Sequence, residues 1–514
     1  MTEQLDILAA HATQTPDKVA VVDERGVSRT YDQLNRRANR GADALGRLGL
    51  RAGDRCLHMH HNMVEAFELG HALRKLRVVT TPMNWRLRPS EIAYLLNDSG
   101  AACVVASPHF LPVLKEAMPE VENATGRQWV VFGDDAPQGW SSWNRLLEEA
   151  SESEPPTPAS PTGPTMVYTA GTTGRPKGAF RATGLPIEAI FAWVAGLGLR
   201  GDDVHLLAGP GYHSAPAAFS GLQAILGASV VVMERFDPER ALELIYRHRV
   251  STTFMAPILL RRILDLPEEV RARYDVSSMR VLIVAAAPFP GELKRRAVDY
   301  FGPSVFEFYG ASETGLVTLI GPDDLLRKPD SCGRVLSGVE VRLLDEAGEE
   351  VAPGQPGELW ARTIGGNAEY YNNPEATSRN SRDGFFTVGD IAWMDAEGFI
   401  HICDRKIDMV ISGGVNIYPA EIEAVLAEHP AIEDVAVIGV PDEEWGESLL
   451  AVVRIRDGAS VGDDELMEFA RRDLAGYKVP RAFSRVEEFP RDAAGKVLKR
   501  LLREPYWAAA GRRV

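Results

Sequence analysis

The chain has 514 residues, of which 45% are hydrophobic and 25% charged, and its formal net charge is -16 at pH 7. This length exceeds what one hydrophobic core of roughly 100–200 residues normally serves, and the negative charge argues against nucleic acid or an anionic membrane surface as a bulk partner. The 4 cysteines form no C-x-x-C pair, the first residues lack a signal-peptide pattern, and no apolar run approaches the ~20 residues of a membrane span, so we expect a cytoplasmic protein with reduced thiols.

Helical and extended patterns alternate through the first part of the chain. Residues 31–50 place apolar side chains on one stripe of an amphipathic helix, which Thr30 is suited to cap. Strands are predicted at 56–60, 78–80 and 102–106, and helices at 64–76 and from Pro89 to 96. This alternation indicates βαβ units and a parallel sheet.

A Gly- and Thr-rich stretch follows, residues 168–178, with the sequence Tyr-Thr-Ala-Gly-Thr-Thr-Gly-Arg-Pro-Lys-Gly. A Pro- and Ser-rich spacer at 151–164 and a predicted strand at 165–168 lead into it. Its glycines allow close backbone approach to a ligand, its successive N–H groups form an anion site, and Lys177 adds positive charge. These features predict a loop that wraps a polyphosphate. It is not the Walker loop, because Gly178 follows the lysine, and the alternative is a surface turn.

Further strands are predicted at 204–207, 229–233, 252–255, 281–284 and 305–308, with helices at 238–248 and 291–300. Ligands of open α/β sheets bind beyond the carboxyl ends of the strands. The phosphate loop and the segments 285–288 and 309–315 follow such ends, so we expect them to converge on one crevice. Residues 332–362 are β-rich. A compact α+β unit begins near 408, with helices at 419–429 and 463–473 and strands at 435–440 and 449–455.

Two carboxylates, Glu313 and Asp390, are predicted to take part in binding a nucleotide. A carboxylate beside a polyphosphate is repelled unless a hard cation lies between, and Mg²⁺ prefers one or two carboxylates plus phosphate oxygens. We therefore predict that Glu313 binds magnesium, with the Thr169 hydroxyl opposite. Asp390 is placed to bind the two hydroxyls of a ribose. The alternative for each is a solvated loop carboxylate.

Five separated segments occur in an order that resembles the acyl-adenylate-forming (AMP-binding) superfamily, of the acyl-CoA synthetase or fatty-acid–CoA ligase type. They are residues 168–178, 309–315, 389–390, 411–419 and 490–500. One departure is Ala170, where the family usually has serine. The resemblance implies an α/β fold with a large N-terminal domain, 1–404, of mostly parallel sheets sandwiched by helices plus a β-rich subdomain. A small mobile α+β C-terminal domain, 405–514, would follow a hinge near 404–408. Ile407 stands where many relatives carry the Asp or Lys pivot, so the pivot residue stays open.

The resemblance implies a two-step reaction. A carboxylate attacks the α-phosphorus of ATP to give acyl-AMP and pyrophosphate, and after the small domain rotates, a thiol displaces AMP. Lys496, Glu313 and Thr172 are the expected catalytic residues, and Thr169 and Glu313 the expected metal ligands. The expected ATP-binding residues are Thr169, Ala170, Gly171, Thr172, Thr173, Gly174, Lys177, Ala286, Ala287, Phe308, Tyr309, Gly310, Ala311, Ser312, Glu313, Asp390, Arg405 and Lys496.

The acid is predicted to lie near His213, Ala215 and Gly310, although His213 also fits a packing histidine. No acidic residue occurs between Gly209 and Leu226, which argues against a substrate with an α-ammonium group. The small residues of this segment either face a wide apolar pocket, suited to a fatty, aryl-alkyl or polycyclic acid, or pack a helix on a sheet. They are Ala215, Ala217, Ala218 and Gly221.

The resemblance assigns coenzyme A binding to Arg86, Gly413, Gly414, Trp445, Lys478 and Arg481. Trp445 would stack on the adenine, and its alternative is a core tryptophan. Lys499 and Arg500 are expected at the surface. The chain carries no carrier-protein segment after Val514, which favours a free thiol such as CoA.

Competing hypotheses are a stand-alone adenylation enzyme that loads a carrier protein, a luciferase-like oxygenase, and a non-catalytic nucleotide-binding scaffold. The presence of Lys496, Glu313 and Asp390 argues against the scaffold. The sequence leaves open the acid, the pathway within fatty-acid or lipid metabolism, and whether the chain forms a homodimer.

Overall fold

The structure is a computed structural model that describes residues 6–156, 162–169, 176–406, 408–412, 415–442, 445–491 and 497–509. The chain divides into two compact units. The first comprises Met1–Pro329, Gly333–Glu340 and Ala361–Phe386, and the second comprises Asp330–Cys332, Val341–Trp360 and Thr387–Val514. The predicted boundary at 404 and the predicted hinge at 404–408 remain predictions.

One sheet of the first unit carries the strand that leads into the predicted phosphate loop. Its central strands are parallel, and the strands after the loop turn back antiparallel. Parallel strands buried on both faces require apolar residues along their length, as the fully buried Cys103–Ala106 shows. In spatial order the strands are Glu369–Tyr370, Lys177–Arg181, Thr165–Thr169, Val79–Pro82, Arg55–Met59, Cys103–Ala106, Gln128–Val131 and Ser141–Ser142.

A second run of paired strands carries the other predicted ligand loops. Its parallel members end in an antiparallel hairpin, Val305–Ala311 with Gly315–Ile320. The first hairpin strand continues past the predicted end at 308, so Tyr309, Gly310 and Ala311 lie in a strand and the loop prediction for them was wrong. The order is Ser28–Thr30, Val19–Asp23, Ser229–Val232, Val204–Leu207, Thr252–Met255, Val281–Val284, Val305–Ala311, Gly315–Ile320 and Gly333–Val335.

Helices cover these sheets. Thr30 caps its helix as predicted, because its hydroxyl accepts the Gln33 N–H while the Gln33 side chain accepts the Thr30 N–H. The α-helices of the first unit are Ile7–Gln14, Tyr31–Arg47, Val64–Leu76, Pro89–Ser99, Leu111–Ala117, Trp143–Glu148, Ile187–Leu197, Ser214–Leu226, Pro238–His248, Pro257–Leu264, Glu268–Arg271, Gly291–Phe301, Pro322–Leu325 and Pro374–Asn380. Short 3-10 turns occupy Pro108–Phe110, Met118–Glu120 and Ala124–Gly126.

The second unit contains antiparallel strands followed by an α+β region. The strands Gly357–Arg362, Asp390–Met394 and Phe399–Arg405 pair in that order, and Glu340–Leu344 pairs with the first. The α+β region has the strand order Val415–Ile417, Val410–Ser412, Gly446–Ile455 and Ile432–Asp442, with Ala482–Arg485 beside Gly446–Ile455. Its helices are Pro419–Ala427, Asp463–Asp473 and Lys499–Ala509, with a 3-10 turn at Gly476–Lys478.

The predicted α/β class is confirmed, and several elements have the predicted bounds, including Val64–Leu76 and Pro238–His248. The helices Ile7–Gln14 and Ile187–Leu197 were not predicted. The second is apolar nearly all round, with Phe191 exposed, so it lacks the polar face that marks an amphipathic helix. Every helix in the described ranges is too short or too polar to cross a lipid bilayer.

Candidate active site

The predicted metal ligands lie together at the end of the loop-bearing strand. Thr169 is the last residue of Thr165–Thr169, and Glu313 lies in the turn of the hairpin between Val305–Ala311 and Gly315–Ile320. The Thr169 hydroxyl donates to Glu313 Oε1 at 3.2 Å. The two residues are 144 positions apart, so the convergence of loops predicted from strand ends is confirmed for this pair.

Two residues that the sequence did not single out surround Glu313. The Tyr370 hydroxyl donates to Glu313 Oε1 at 3.1 Å, and the Arg181 guanidinium donates to the Glu313 carbonyl at 2.8 Å. Burial lowers the pKa of Arg181, and the Glu313 carboxylate opposes that shift. No local pattern marks Tyr370, because it reaches Glu313 through strand pairing with Lys177–Arg181 rather than through spacing in the sequence.

The oxygen atoms of Glu313 and Thr169 are suitable ligands for a hard cation. Glu313 is 5% exposed, and within the described residues its carboxylate has hydroxyl partners and no ion pair. His, Cys, Asp and Glu side chains in the same described ranges do not gather into groups of three or more that could hold a metal. One carboxylate and one hydroxyl suit Mg²⁺, which usually completes its shell with water and substrate phosphates.

The ends of the predicted phosphate loop are braced by the helix Pro89–Ser99. Before the loop, the Tyr168 hydroxyl donates to Asp98 at 2.6 Å, and after it the Tyr94 hydroxyl donates to the Pro176 carbonyl at 3.1 Å. Lys177 lies 5.1 Å from the centre of the Tyr370 ring. Burial lowers the pKa of Lys177 and Arg379 adds to this, while Glu313 raises it. Ala170, Gly171, Thr172, Thr173 and Gly174 lie outside the described residues.

Two of the predicted ATP-binding residues, Ala286 and Ala287, lie in the segment 285–288. Because Val284 pairs with Glu307, this segment leaves its strand beside Phe308 and Tyr309. Ala286 has φ 75° and Ala286 and Ala287 are exposed; a non-glycine residue in this region is rare and clusters at ligand sites. A side chain at Gly310 would meet the Gly315 carbonyl at 2.1 Å, so only glycine fits there.

The Phe308 side chain belongs to the core. It is 8% exposed and its ring lies 5.7 Å from Phe219 and 6.2 Å from Phe254. The predicted contact between Phe308 and ATP can therefore involve only the backbone of this residue.

The predicted acyl-binding segment starts the helix Ser214–Leu226. His213 precedes the helix, and Ser214 Oγ lies 2.9 Å from Ser312 Oγ, next to Glu313. Ala215 and Ala218 pack on the apolar cluster that contains Phe308, whereas Ala217 and Gly221 are exposed. Of the two alternatives, helix packing therefore accounts for Ala215 and Ala218 but not for Ala217 and Gly221.

Asn62 holds the loop before His213 and was not found from the sequence. Its side-chain amide donates to the carbonyls of Gly209 and Met233, both at 2.9 Å, and its oxygen accepts the Gly211 N–H at 2.7 Å. A buried amide with all these partners fixes one loop conformation.

The predicted ribose contacts lie in the second unit. Asp390 and Arg405 are direct partners on adjacent antiparallel strands, although they are 15 positions apart. Asp390 opens the strand Asp390–Met394 rather than ending one, and its residue is 8% exposed. Beside it, the Thr387 hydroxyl donates to Glu358 at 2.9 Å.

Trp445 is 38% exposed, so the alternative of a core tryptophan is wrong. The Arg481 guanidinium lies 4.9 Å from its ring centre, which places two of the predicted CoA residues together. Lys478 is engaged by Glu421 at 2.6 Å. In the first unit, Arg86 is exposed and lies 4.8 Å from the Trp85 ring centre. Gly413 and Gly414 lie outside the described residues.

The C-terminal lysines differ from the prediction in one respect. Lys499 is not a surface residue, because its ammonium pairs with Glu423 at 2.7 Å and its side chain is 13% exposed. This ion pair joins the first residue of the helix Lys499–Ala509 to the helix Pro419–Ala427, a pairing that no local signal marks. Arg500 is exposed as predicted. Lys496 and Ile407 lie outside the described residues.

Comparison with known proteins shows the family of the chain. The family model of the AMP-binding enzyme matches residues 8–371, and that of the AMP-binding enzyme C-terminal domain matches 421–496. The chain is 34% identical over 507 residues to the long-chain-fatty-acid–CoA ligase FadD13 of Mycobacterium tuberculosis, covering 98% of each. It is 35% identical over 480 residues to a feruloyl-CoA synthase of Amycolatopsis sp, covering 92% of this chain and 93% of the synthase.

Among solved structures, ATP-bound MatB from Rhodopseudomonas palustris superposes with a TM-score of 0.86 at 30% identity, covering 98% of each chain. The fold, the paired family models and these full-length relatives agree with one another. The chain therefore belongs to the AMP-binding enzyme family and is an AMP-forming ligase of the acyl-CoA synthetase type.

Proposed function

We propose that the protein activates a carboxylic acid with MgATP, releases pyrophosphate and transfers the acyl group of the resulting acyl-AMP to coenzyme A. The observation that carries this proposal is the buried Glu313 carboxylate, bonded to the Thr169 hydroxyl at the mouth of the predicted phosphate loop. A carboxylate kept from water without an ion pair in the described residues is suited to a cation that arrives with the nucleotide.

In the first step the acid's carboxylate oxygen bonds to the α-phosphorus and the bond to the pyrophosphate oxygen breaks. Lys177 and Thr169 hold phosphate oxygens, and Asp390 with Arg405 holds the ribose. Lys496 bridges the acid and the α-phosphate while negative charge develops between them. Glu313 and Thr169 would hold magnesium, which would neutralise charge on the polyphosphate when bound.

The acid that we propose is fatty, aryl-alkyl or polycyclic. The absence of Asp and Glu from residues 209–226 disfavours an α-ammonium group, because that cation would be buried without a partner. The names of the two relatives, one acting on long-chain fatty acids and one forming feruloyl-CoA, support a fatty acid and an aryl-substituted acid.

For the thiol we propose coenzyme A. The exposed Trp445 ring with Arg481 against it is suited to an adenine and its phosphates, since an aromatic ring can stack on the base while a guanidinium contacts an anion. The alternative, a carrier protein, offers the same pantetheine thiol but no adenine. Trp445 and Arg481 therefore favour CoA.

The experiment is a panel of fatty, aryl-alkyl and polycyclic acids incubated with the protein, ATP and Mg²⁺, with pyrophosphate release measured with and without CoA. We expect release with at least one acid, and the corresponding acyl-CoA when CoA is present. A parallel arm replaces CoA with a phosphopantetheinylated carrier protein. Thioester formed on the carrier protein alone would reject CoA, and no acyl-AMP from any acid would reject the activity.

A further inference from the structure

Tyr370 is held rigidly beside the predicted magnesium ligand. It lies in the short edge strand Glu369–Tyr370, where it pairs with Ala179. Its N–H donates to the Thr377 hydroxyl at 2.9 Å, which ties it to the helix Pro374–Asn380. The residue is 9% exposed, and its ring lies 5.7 Å from that of Phe386. The position of the hydroxyl is therefore determined by the strand, the helix and the ring packing together.

The hydroxyl of Tyr370 and that of Thr169 reach the same oxygen of Glu313. Both donate to Oε1, at 3.1 and 3.2 Å. The Thr169 hydroxyl has a second acceptor, the Lys177 carbonyl at 3.4 Å, and it carries a single proton to share between the two. When a ligand engages the Thr169 oxygen, its proton can turn to that carbonyl. Tyr370 then remains as the donor that keeps Glu313 oriented.

We propose that Tyr370 is a positioning residue for Glu313, holding Oε1 so that the carboxylate stays oriented for a cation bound with ATP. This inference rests on the proposed function. The Tyr370 ring also lies 5.1 Å from the Lys177 ammonium, so a single side chain contacts both the carboxylate and the lysine of the phosphate loop. Partners of a metal-binding carboxylate typically change metal affinity about 10–100-fold when they are removed.

The test is Tyr370→Phe, which removes one oxygen atom and keeps the ring against Phe386 and Lys177. We expect equilibrium binding of ATP in the presence of Mg²⁺ to weaken about ten-fold, with metal-free ATP binding changed less than two-fold. Isothermal titration calorimetry with and without Mg²⁺ measures both, and Mn²⁺ electron paramagnetic resonance in the presence of ATP reports the metal directly.

The adjacent tyrosine supplies the matched control. The Tyr371 ring lies 5.7 Å from Phe180 and 5.8 Å from the Arg55 guanidinium, so Tyr371→Phe is the same chemical change on the same strand end. We expect it to leave both binding constants unchanged. An equal loss for both variants, or a Tyr370→Phe loss that is the same with and without metal, would overturn the proposal.

A double variant keeps the test informative if Tyr370→Phe alone lowers stability. If Tyr370 acts through Glu313, then Tyr370→Phe in a Glu313→Gln background adds no further loss of metal-dependent ATP binding. Additive losses would contradict the inference. Because these are binding measurements, they are independent of the acid: failure of the acid panel contradicts the proposed function, whereas unchanged metal-dependent binding in Tyr370→Phe contradicts the role of Tyr370 alone.

Discussion

Glu313 in the first compact unit and Glu423 in the second are both largely buried, but the partners of their carboxylates differ. In the first unit Glu313 accepts hydrogen bonds from two hydroxyls, those of Thr169 and Tyr370. In the second unit Glu423 accepts the Val437 N–H at 2.6 Å and pairs with Lys499 at 2.7 Å. Burial raises the pKa of Glu423 and the Lys499 ammonium opposes that rise.

This difference indicates that Glu313 is suited to binding a ligand, whereas Glu423 stabilises the fold. Glu423 has its cation within the chain, so its charge is balanced without any ligand, and losing the cation would leave a buried charge alone. The Glu313 carboxylate accepts its hydrogen bonds from two neutral hydroxyls, and although Arg181 and Lys177 are near enough to interact with its charge, neither forms an ion pair with it. Local sequence singles out Glu313, which lies between a serine and a threonine, but nothing in the segment 419–425 shows that Glu423 is paired with a distant lysine.

The largest expected effect is on activity and concerns Lys496, which we compare with Lys499, three residues later. Lys499 has an internal partner, whereas Lys496 is predicted to serve the reacting groups. Lys496→Ala should slow acyl-AMP formation about 1,000-fold and leave thioester formation from supplied acyl-AMP within a few-fold of wild type. Pyrophosphate release and CoA acylation, measured separately, check this. Equal loss in both steps would mean that the lysine has no special role in adenylation.

Glu313→Gln should reduce kcat/KM for MgATP about 100-fold, because the neutral amide keeps the shape of the side chain but loses the charge that a cation needs. The melting temperature should change little, since the Glu313 carboxylate forms no ion pair with the described residues and Arg181 keeps its hydrogen bond to the Glu313 backbone carbonyl. Steady-state kinetics at varied Mg²⁺ concentration measure the effect. The control is Glu369→Gln, an exposed glutamate next to Tyr370. Unchanged magnesium dependence in Glu313→Gln would refute the ligand assignment.

Glu423→Gln should act on stability instead. Removing one partner of a buried ion pair typically costs about 3–5 kcal/mol, because the remaining charge stays buried. Chemical denaturation, followed by a probe in the second unit, would give this loss in the free energy of unfolding. Glu421→Gln on the same helix is the control, since its pair with Lys478 is more exposed. Recovery of stability in a Glu423→Gln/Lys499→Met double variant would support the pairing, and no recovery would argue against it.

His205 extends the comparison to a buried base. It is 1% exposed, its Nδ1 lies 3.0 Å from the Thr252 hydroxyl, and burial lowers its pKa to about 3. The imidazole of His205 binds a proton more readily in the unfolded chain than in the folded one. The contribution of neutral His205 to the free energy of unfolding is therefore complete above about pH 6.5 and is lost as the pH falls toward 3. Between those values the free energy of unfolding should fall by up to about 1.4 kcal/mol per pH unit. His205→Leu should remove that part of the slope; an unchanged slope would contradict it.

The smallest stability effect is expected at the exposed pair of Lys478 and Glu421, at about 0.5 kcal/mol. Lys478→Met should therefore leave the melting temperature nearly unchanged. If Lys478 contacts CoA phosphates, the same variant should raise the KM for CoA several-fold and leave the KM for ATP unaltered. A change in the KM for ATP alone would contradict the assignment of Lys478 to CoA binding.

Much of the fold follows from local sequence. Thr30 and Gln33 form a capping box that starts a helix, and strands such as Val281–Val284 are uniformly apolar because both faces are covered. Ligands of α/β folds bind beyond the carboxyl ends of strands, which is why Thr169 and Glu313 were predicted to meet. Their strands lie in two different sheets, which the local patterns alone do not show. These signals act over a few residues, so a single sequence carries them.

Other features depend on contacts between distant segments. The bond from Tyr370 to Glu313 spans 57 positions, and it requires an edge strand that no periodicity marks. Lys499 was expected at the surface, because burial of a lysine is decided by a partner such as Glu423 rather than by its neighbours in the sequence. Thus the sequence by itself determined the family, the α/β class and the bounds of several helices and strands. Tertiary structure alone decided which buried charges are neutralised, since that depends on which distant side chains packing brings within hydrogen-bonding distance.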